Sequence, residues 1–392
     1  MGLCVVMALG WATLTVRPAQ ADIAPPWMVP ANVGTVGPSP GPATRVQMAA
    51  EQVRMDIQIV QSTDQYTTTQ VSVTANFQMH NTGAQAEALK VVFPIQDEIC
   101  FPVEGIDGPY QDYQIDPATF DVLVDHQAVT TSVVTADRLI TDTLPEEDCH
   151  SVWEAFDASF PANQDVAIDV SYQMHRFREQ AVDRFSYILE TGSGWYGPIG
   201  SADIEVRFPY TVARDLLLDA TTPGFHLDGD RARWHWSNFK PSSNVYVATF
   251  SPLLWQDYLE GQRRVRTQPR EAGNWSWLAD AYSELAWATG GQGWGYHGTF
   301  EEVGDWRYAQ LALQASQQAI VLQPDLVDAW ITQGRILSSM ALTGNDGKPK
   351  LYYPSVQLAL HAFDRALAID KDNVIADDYR HWLVCLAGGP CH

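Results

Sequence analysis

Positive charge is scarce in this chain of 392 residues: 24 Lys and Arg stand against 47 Asp and Glu, for a formal net charge of -23. Nucleic-acid phosphates and anionic lipid surfaces both call for a basic face, so neither is an expected partner. Catalytic fingerprints are missing as well. The chain has no zinc-protease helix motif and no phosphate-binding loop, and His150, His175, His226, His235, His297 and His381 are scattered along it. The expectation is a protein that is not an enzyme, with no catalytic, cofactor-binding or metal residues to name. Long apolar runs are absent beyond the first residues, which excludes an integral membrane helix from the mature chain.

The one apolar stretch, Leu3 to Val16, is too short to span a bilayer and is followed by Arg17, Pro18 and the small triplet Ala19, Gln20, Ala21. This is the pattern of a secretory signal at 1–21, although no Lys or Arg precedes the apolar run. Cleavage near Ala21 would start the mature chain at Asp22 and place it outside the cytoplasm, in the periplasm or secreted. Cysteine is sparse, with five in all. Cys4 leaves with the signal, and Cys100, Cys149, Cys385 and Cys391 form an even set that suits two disulfides in an oxidising compartment. Three pairings are open, and closeness in sequence favours Cys100 with Cys149 and Cys385 with Cys391.

The negative charge is concentrated. Between Asp97 and Asp169 there are 17 acidic residues and a single basic one, Arg138. Clustered carboxylates can hold a hard cation, so Ca²⁺ is the one cofactor to keep in view, although no stretch has the ligand spacing of a calcium loop.

Residues 22–44 are rich in Pro and Gly and read as a linker. From Arg45 the hydrophobic period becomes two. Val71, Val73, Ala75, Phe77 and Met79 share one face, and Ser72, Thr74, Asn76, Gln78 and His80 the other. Val53, Met55, Ile57 and Ile59 alternate likewise, as do Val166, Ile168, Val170, Tyr172 and Met174. Leu89–Pro94, Phe120–Val124, Phe185–Leu189, Ile204–Phe208, Leu216–Leu218, Phe225–Leu227, Trp234–Trp236 and Val245–Phe250 read as further strands. The segment Leu144–Phe160 is acidic and irregular. Short strands punctuated by turns predict an antiparallel, Ig-like β-sandwich over 45–160 with an acidic insertion. Residues 161–256 would be a second sandwich or a continuation of the first. The turn Asn81, Thr82, Gly83 after an alternating strand, then Val92, Phe93, Pro94, resembles uncharacterised secreted bacterial β-sandwich domains.

The last third changes character after a basic linker, 257–271, which holds Arg263, Arg264, Arg266 and Arg270. Trp275, Leu278, Ala279 and Tyr282, then Ala312, Ala319 and Pro324, fall at the offsets of one helix pair. Trp330 and Gly334, then Ala359, Phe363 and Ala366, fall at those of a second. This pattern resembles the tetratricopeptide repeat (TPR), with Ser316, Gln333 and Lys371 as departures and with insertions near 290–308 and 344–354. The resemblance implies a short all-α stack over 272–392, with Val374–Leu386 as a closing helix and a concave groove for a protein partner. Two Gly-rich loops carrying Trp195 and Tyr196, and Trp294 and Tyr296, are candidate contact loops. Aromatic rings displayed in such loops would also suit a carbohydrate ligand, the alternative reading.

Overall fold

The computed structural model describes residues 44–61, 67–99, 113–137, 150–176, 181–187, 189–218, 221–242, 244–289, 306–343, 350–351 and 353–389. The expected signal, most of the linker, and Cys100, Cys149, Cys391, Trp294 and Tyr296 lie outside them.

The first half is built from strands. In chain order they are β1 (Val46–Gln61), β2 (Thr67–Asn81), β3 (Glu87–Ile99), β4 (Tyr113–Ile115), β5 (Asp121–Val124), β6 (Gln127–Ala128) and β7 (Ser132–Asp137). Then come β8 (His150–Phe160), β9 (Asp165–Arg176), β10 (Val182–Tyr187), β11 (Ile199–Arg207), β12 (His226–Asp228), β13 (Arg231–Phe239) and β14 (Val245–Phe250). Nine of them form one large sheet in the order β12-β13-β11-β1-β2-β9-β5-β6, with β4 also on β9. A three-stranded sheet, β3-β8-β7, and a two-stranded one, β10-β14, complete the β region.

An antiparallel Ig-like sandwich is not what forms. β1 runs parallel to β11, with Ala50 opposite Ser201 and Asp56 opposite Arg207, so the large sheet is mixed. Alternation of side chains reports that a strand is half-buried and says nothing about its partner. Residue 160 is no boundary either, because β2 pairs with β9 from Gln70–His175 to His80–Asp165. The segment read as irregular contains β8, whose Phe156, Ala158 and Phe160 are buried while Asp157 and Ser159 between them are exposed. Leu216–Leu218 is not a strand. Residues Arg214–Leu216 make a single helical turn, and Leu217 forms one isolated bridge to Thr249.

The apolar face of β2 identified from the sequence is buried throughout, Val71 to Met79. It packs with the inner face of β3 and β8, where Phe93 meets Tyr172 edge-on at 5.6 Å and Phe160 meets Trp195 at 6.1 Å. The outer face is polar and its charges pair across strands, as in His80–Asp165, His235–Asp203 and Arg233–Glu205. The β1–β11 approach explains one glycine. A Cβ on Gly200 would lie 2.2 Å from the Ala49 carbonyl oxygen, at the bulge where β1 shifts register against β2.

Six helices follow: α1 (Pro252–Thr267), α2 (Ala272–Thr289), α3 (Trp306–Leu322), α4 (Val327–Ala341), α5 (Tyr353–Ile369) and α6 (Val374–Leu386). The expected basic linker is therefore mostly helix. Glu260 accepts hydrogen bonds from Arg263 and Arg264 on its own helix, at 2.6 and 2.8 Å, and the Arg264 guanidinium lies 4.4 Å from the centre of the Trp277 ring. Pairing at i,i+3 and i,i+4 is a helix geometry, so these arginines stabilise α1 from within.

α1 also fastens the helices to the sheet. Phe250 of β14 stacks on Trp255 of α1 at 5.8 Å, Trp255 meets Tyr258, Tyr258 meets Tyr282 of α2, and Tyr282 meets Tyr308 of α3. One continuous apolar core runs from Val46 in β1 to Ile336 in α4. The joint between the two regions is this aromatic chain. Trp195, a candidate contact-loop residue, is buried inside the β region instead.

Candidate functional site

The repeat residues lie where helix packing needs small or flat surfaces. Ala279, Ala312, Ala319, Ala359 and Ala366 are fully buried, as is Phe363, and Leu278 and Tyr282 nearly so. A Cβ on Gly334 would fall 2.6 Å from the Phe363 ring, so only glycine lets α4 lie this close to α5. Ser316, standing where the repeat usually has a large aromatic, is fully buried and donates to the Leu313 carbonyl at 3.0 Å.

Trp275 and Trp330 share one role. The Trp275 indole donates to the Pro269 carbonyl at 2.8 Å, and the Trp330 indole to the Pro324 carbonyl at 2.9 Å. Each bond ties the start of one helix to the turn before it. The repeated Gln-Pro spacing, Gln268-Pro269 before Trp275 and Gln323-Pro324 before Trp330, marks α1 as the second helix of a pair, in the place α3 holds before α4. Sequence reasoning missed this, because the repeat was started at residue 272.

Each helix packs on the next, and α2 also touches α4, and α4 touches α6. That alternate set lines a concave groove of about 490 Å³. Helical periodicity puts Gly273, Ser276, Trp277, Asp280, Ala281 and Glu284 on one face of α2, and Asp328, Ile331, Thr332 and Arg335 on the facing side of α4. Asp257 of α1, Leu326 of the turn before α4 and Ile375 of α6 close its ends.

The groove is acidic. Asp257, Asp280, Glu284 and Asp328 face a single lining cation, Arg335, so four carboxylates against one guanidinium leave three formal negative charges. Arg335 lies 3.0 Å from Glu284 and 3.4 Å from Asp280. Burial works against the arginine's charge, and Glu284, Tyr379 and Asp280 together outweigh it and raise its pKa. Burial raises the Asp280 carboxyl above its ordinary value, opposed by Arg335 and reinforced by Glu284 and Asp328. Burial likewise raises Asp257, with Arg264 opposing. The Thr332 hydroxyl donates to the Asp280 carboxylate within the groove, and the arrangement can hold charge and shape.

The other candidate positions sit elsewhere. Trp195 is 3% exposed and packed on Phe160, so it displays no ring to solvent. Its neighbour Tyr196 is exposed, with the Arg45 guanidinium 5.0 Å over its ring. His226 and His235 are not opposed across their hairpin: His226 faces Arg233, and His235 pairs with Asp203 at 2.7 Å. Of the described acids of the 97–169 window, Asp165 and Asp169 lie on the open sheet face beside His80 and Asn76, whereas Glu154 of β8 is buried. Among the described residues no three His, Cys, Asp or Glu side chains gather as metal ligands. Of the cysteines, only Cys385, in α6, is among the described residues.

No protein-family model matches the chain, and no curated protein matches it. Among solved structures it is similar to a candidate nutrient binding protein of Legionella pneumophila, with 16% identity and a TM-score of 0.43 over 89% of this chain and 98% of that one. The Arabidopsis OM64 TPR domain shows 15% identity and a TM-score of 0.25 over 34% of this chain and 83% of that one. A thermophilic TPR protein of Thermus thermophilus shows 17% identity and a TM-score of 0.27 over 35% of this chain and 58% of that one. At these scores the likenesses assign neither family nor function. No helix among the described residues is long and apolar enough to cross a membrane.

Proposed function

We propose that this protein is a non-catalytic binding protein of the periplasm or extracellular space that holds a segment of a protein partner in the groove of its helical stack. The observation that carries the reading is the concave surface itself, lined by α2, α4 and α6 and open over about 490 Å³. Groove-lining side chains from successive helices are the means by which a helical repeat presents an extended binding surface. The β region supports the groove rigidly, through the Phe250, Trp255 and Tyr258 stack. The extracytoplasmic location rests on the apolar run Leu3–Val16 and the Ala19–Ala21 triplet. Sequencing the amino terminus of the native protein checks it, with Asp22 as the expected first residue.

The test of the groove uses the full chain, because the helices share a core with the sheet. A photo-crosslinking residue is placed at Gly273, where an added side chain meets nothing within 4 Å, and at Thr74 on the open sheet face as a comparison. A protein adduct that forms at 273 and is competed away by unlabelled protein is the expected result. Adducts at Thr74 alone, or attachment to glycan, would move the function to the sheet. The carbohydrate alternative has lost Trp195 as an exposed ring and keeps Tyr196.

A further inference from the structure

We infer that the groove selects an extended peptide segment carrying lysine or arginine, and that it does so through the carboxylates its own arginine leaves unpaired. The inference rests on the groove reading above and adds the chemistry of the occupant. Arg335 engages Asp280 and Glu284. Asp257 on one wall and Asp328 on the other make no ion pair among the described residues, and both line the groove. Arg264, whose charge reaches Asp257, is itself held by Glu260 at 2.8 Å. A cation entering the groove therefore meets carboxylates that have no competing partner in contact.

Two neutral features shape the same space for a peptide. Ser276 is only 8% exposed and lines the groove, where its hydroxyl is placed to meet a peptide carbonyl or N–H. Trp277 beside it stays 41% exposed although Arg264 covers part of its ring. An aromatic wall next to carboxylates suits the long aliphatic stem and charged head of Lys or Arg, through stem packing and cation–π attraction. An anionic or carboxylate-terminated segment would face three net negative charges and one already-paired guanidinium. Charge complementarity therefore decides the sign of the occupant.

The experiment measures fluorescence polarisation with the full chain and three labelled nonapeptides of alternating sequence, identical except that every second residue is Lys, Gln or Glu. The Lys peptide is expected to bind best and to weaken as salt is raised. Asp328→Asn and Asp257→Asn should each weaken it about fivefold, the size of a partly exposed ion pair. Gly273→Trp, which fills the groove from a position with free space, should abolish binding. Circular dichroism of each variant separates these effects from unfolding, and either Asn variant alone suffices if the other is poorly folded. If the Gln or Glu peptide binds as tightly and Gly273→Trp still blocks it, the charge inference is overturned and the groove reading stands. If the Lys peptide binds equally well to Gly273→Trp, or fails to bind at millimolar concentration, this inference is overturned, and the crosslink at 273 decides the groove reading separately.

Discussion

Replacing Gly334 by Ala tests whether helix packing in the repeat is as tight as the geometry states. The added Cβ would sit 2.6, 2.7 and 2.9 Å from three atoms of the Phe363 ring, against ordinary contacts of 3.4–4 Å. The ring has little freedom to retreat. It is fully buried and stacked on Tyr379 at 5.6 Å with planes 16° apart. Overpacking a core by one methyl costs about 1–3 kcal/mol. Alanine returns roughly 1 kcal/mol through its higher helix propensity. Contacts as short as 2.6 Å belong to the upper half of the overpacking range, about 2–3 kcal/mol, so the net expectation is a destabilisation of about 1–2 kcal/mol. In a chain of this size that lowers the melting temperature by about 1–3 °C. Urea titration followed by circular dichroism at 222 nm measures it. The control is Phe363→Leu, which removes ring atoms and on its own costs less than the 3–5 kcal/mol typical of Phe→Ala. If the clash is real, the double variant should be more stable than the sum of the singles predicts by about 1 kcal/mol. A Gly334→Ala protein as stable as the parent or more so, with additive singles, would refute the packing argument.

Three further outcomes follow from the same geometry. Trp255→Ala should cost about 3–5 kcal/mol and split one thermal transition into a helical and a β component; a single unchanged transition would show that the two regions do not melt through a shared core. Glu260, held at a pKa of about 2 by Arg263 and Arg264, contributes stability that is present above its ordinary value of 4.5 and is lost as pH falls toward about 2. Glu260→Gln should therefore flatten the acid limb of the stability curve in that window, and an identical limb would remove the pairing from consideration. Trp195→Ala should destabilise by about 3–5 kcal/mol as a core cavity, whereas Tyr196→Ala should cost about 1 kcal/mol or less; equal and small effects would put both rings on the surface.

The sequence was most informative where a pattern is local. The alternation in Gln70–His80 placed the buried face of β2 residue by residue, and the runs Phe225–Leu227 and Trp234–Trp236 fall on β12 and β13, which a turn with Gly229 at a φ of 61° joins. The helix ends at Pro324 and before Val374 were equally legible, because caps and proline act within a turn. Pairing was not legible. Nothing in Val53–Ile59 distinguishes a parallel neighbour from an antiparallel one, since both bury the same face. The helix α1 was cut short because Arg263, Arg264 and Arg266 look like a solvated run, and only Glu260 at the right spacing shows that they belong to a helix. The groove was expected but its lining residues were not, although their signal was present: Ser276, Asp280, Glu284 on one helix and Asp328, Thr332, Arg335 on another recur at helical spacing. Recognising them requires knowing that α2 and α4 turn the same face inward, which is a property of the stack and of no single segment.

The parallel pairing of β1 with β11 also sets a timetable. Gln47 at the start of β1 donates to the Pro198 carbonyl, 151 residues further along the chain. At about 5–20 residues per second, β1 emerges roughly 8–30 s before the strand that completes its second edge. Until then β1 and β2 can form only a hairpin with one side unsatisfied, and an exposed strand edge is a template for wrong partners. Loop-closure entropy is paid before the non-local contacts return it, so the large sheet should assemble late and slowly. The helices, made of neighbours in sequence, can form within moments of their synthesis, but Phe250 offers Trp255 a fixed seat only once β14, made just before them, has paired with β10. The nascent protein thus spends much of its early life as an open chain, the state in which a polypeptide is most easily threaded, bound by a holdase or cut.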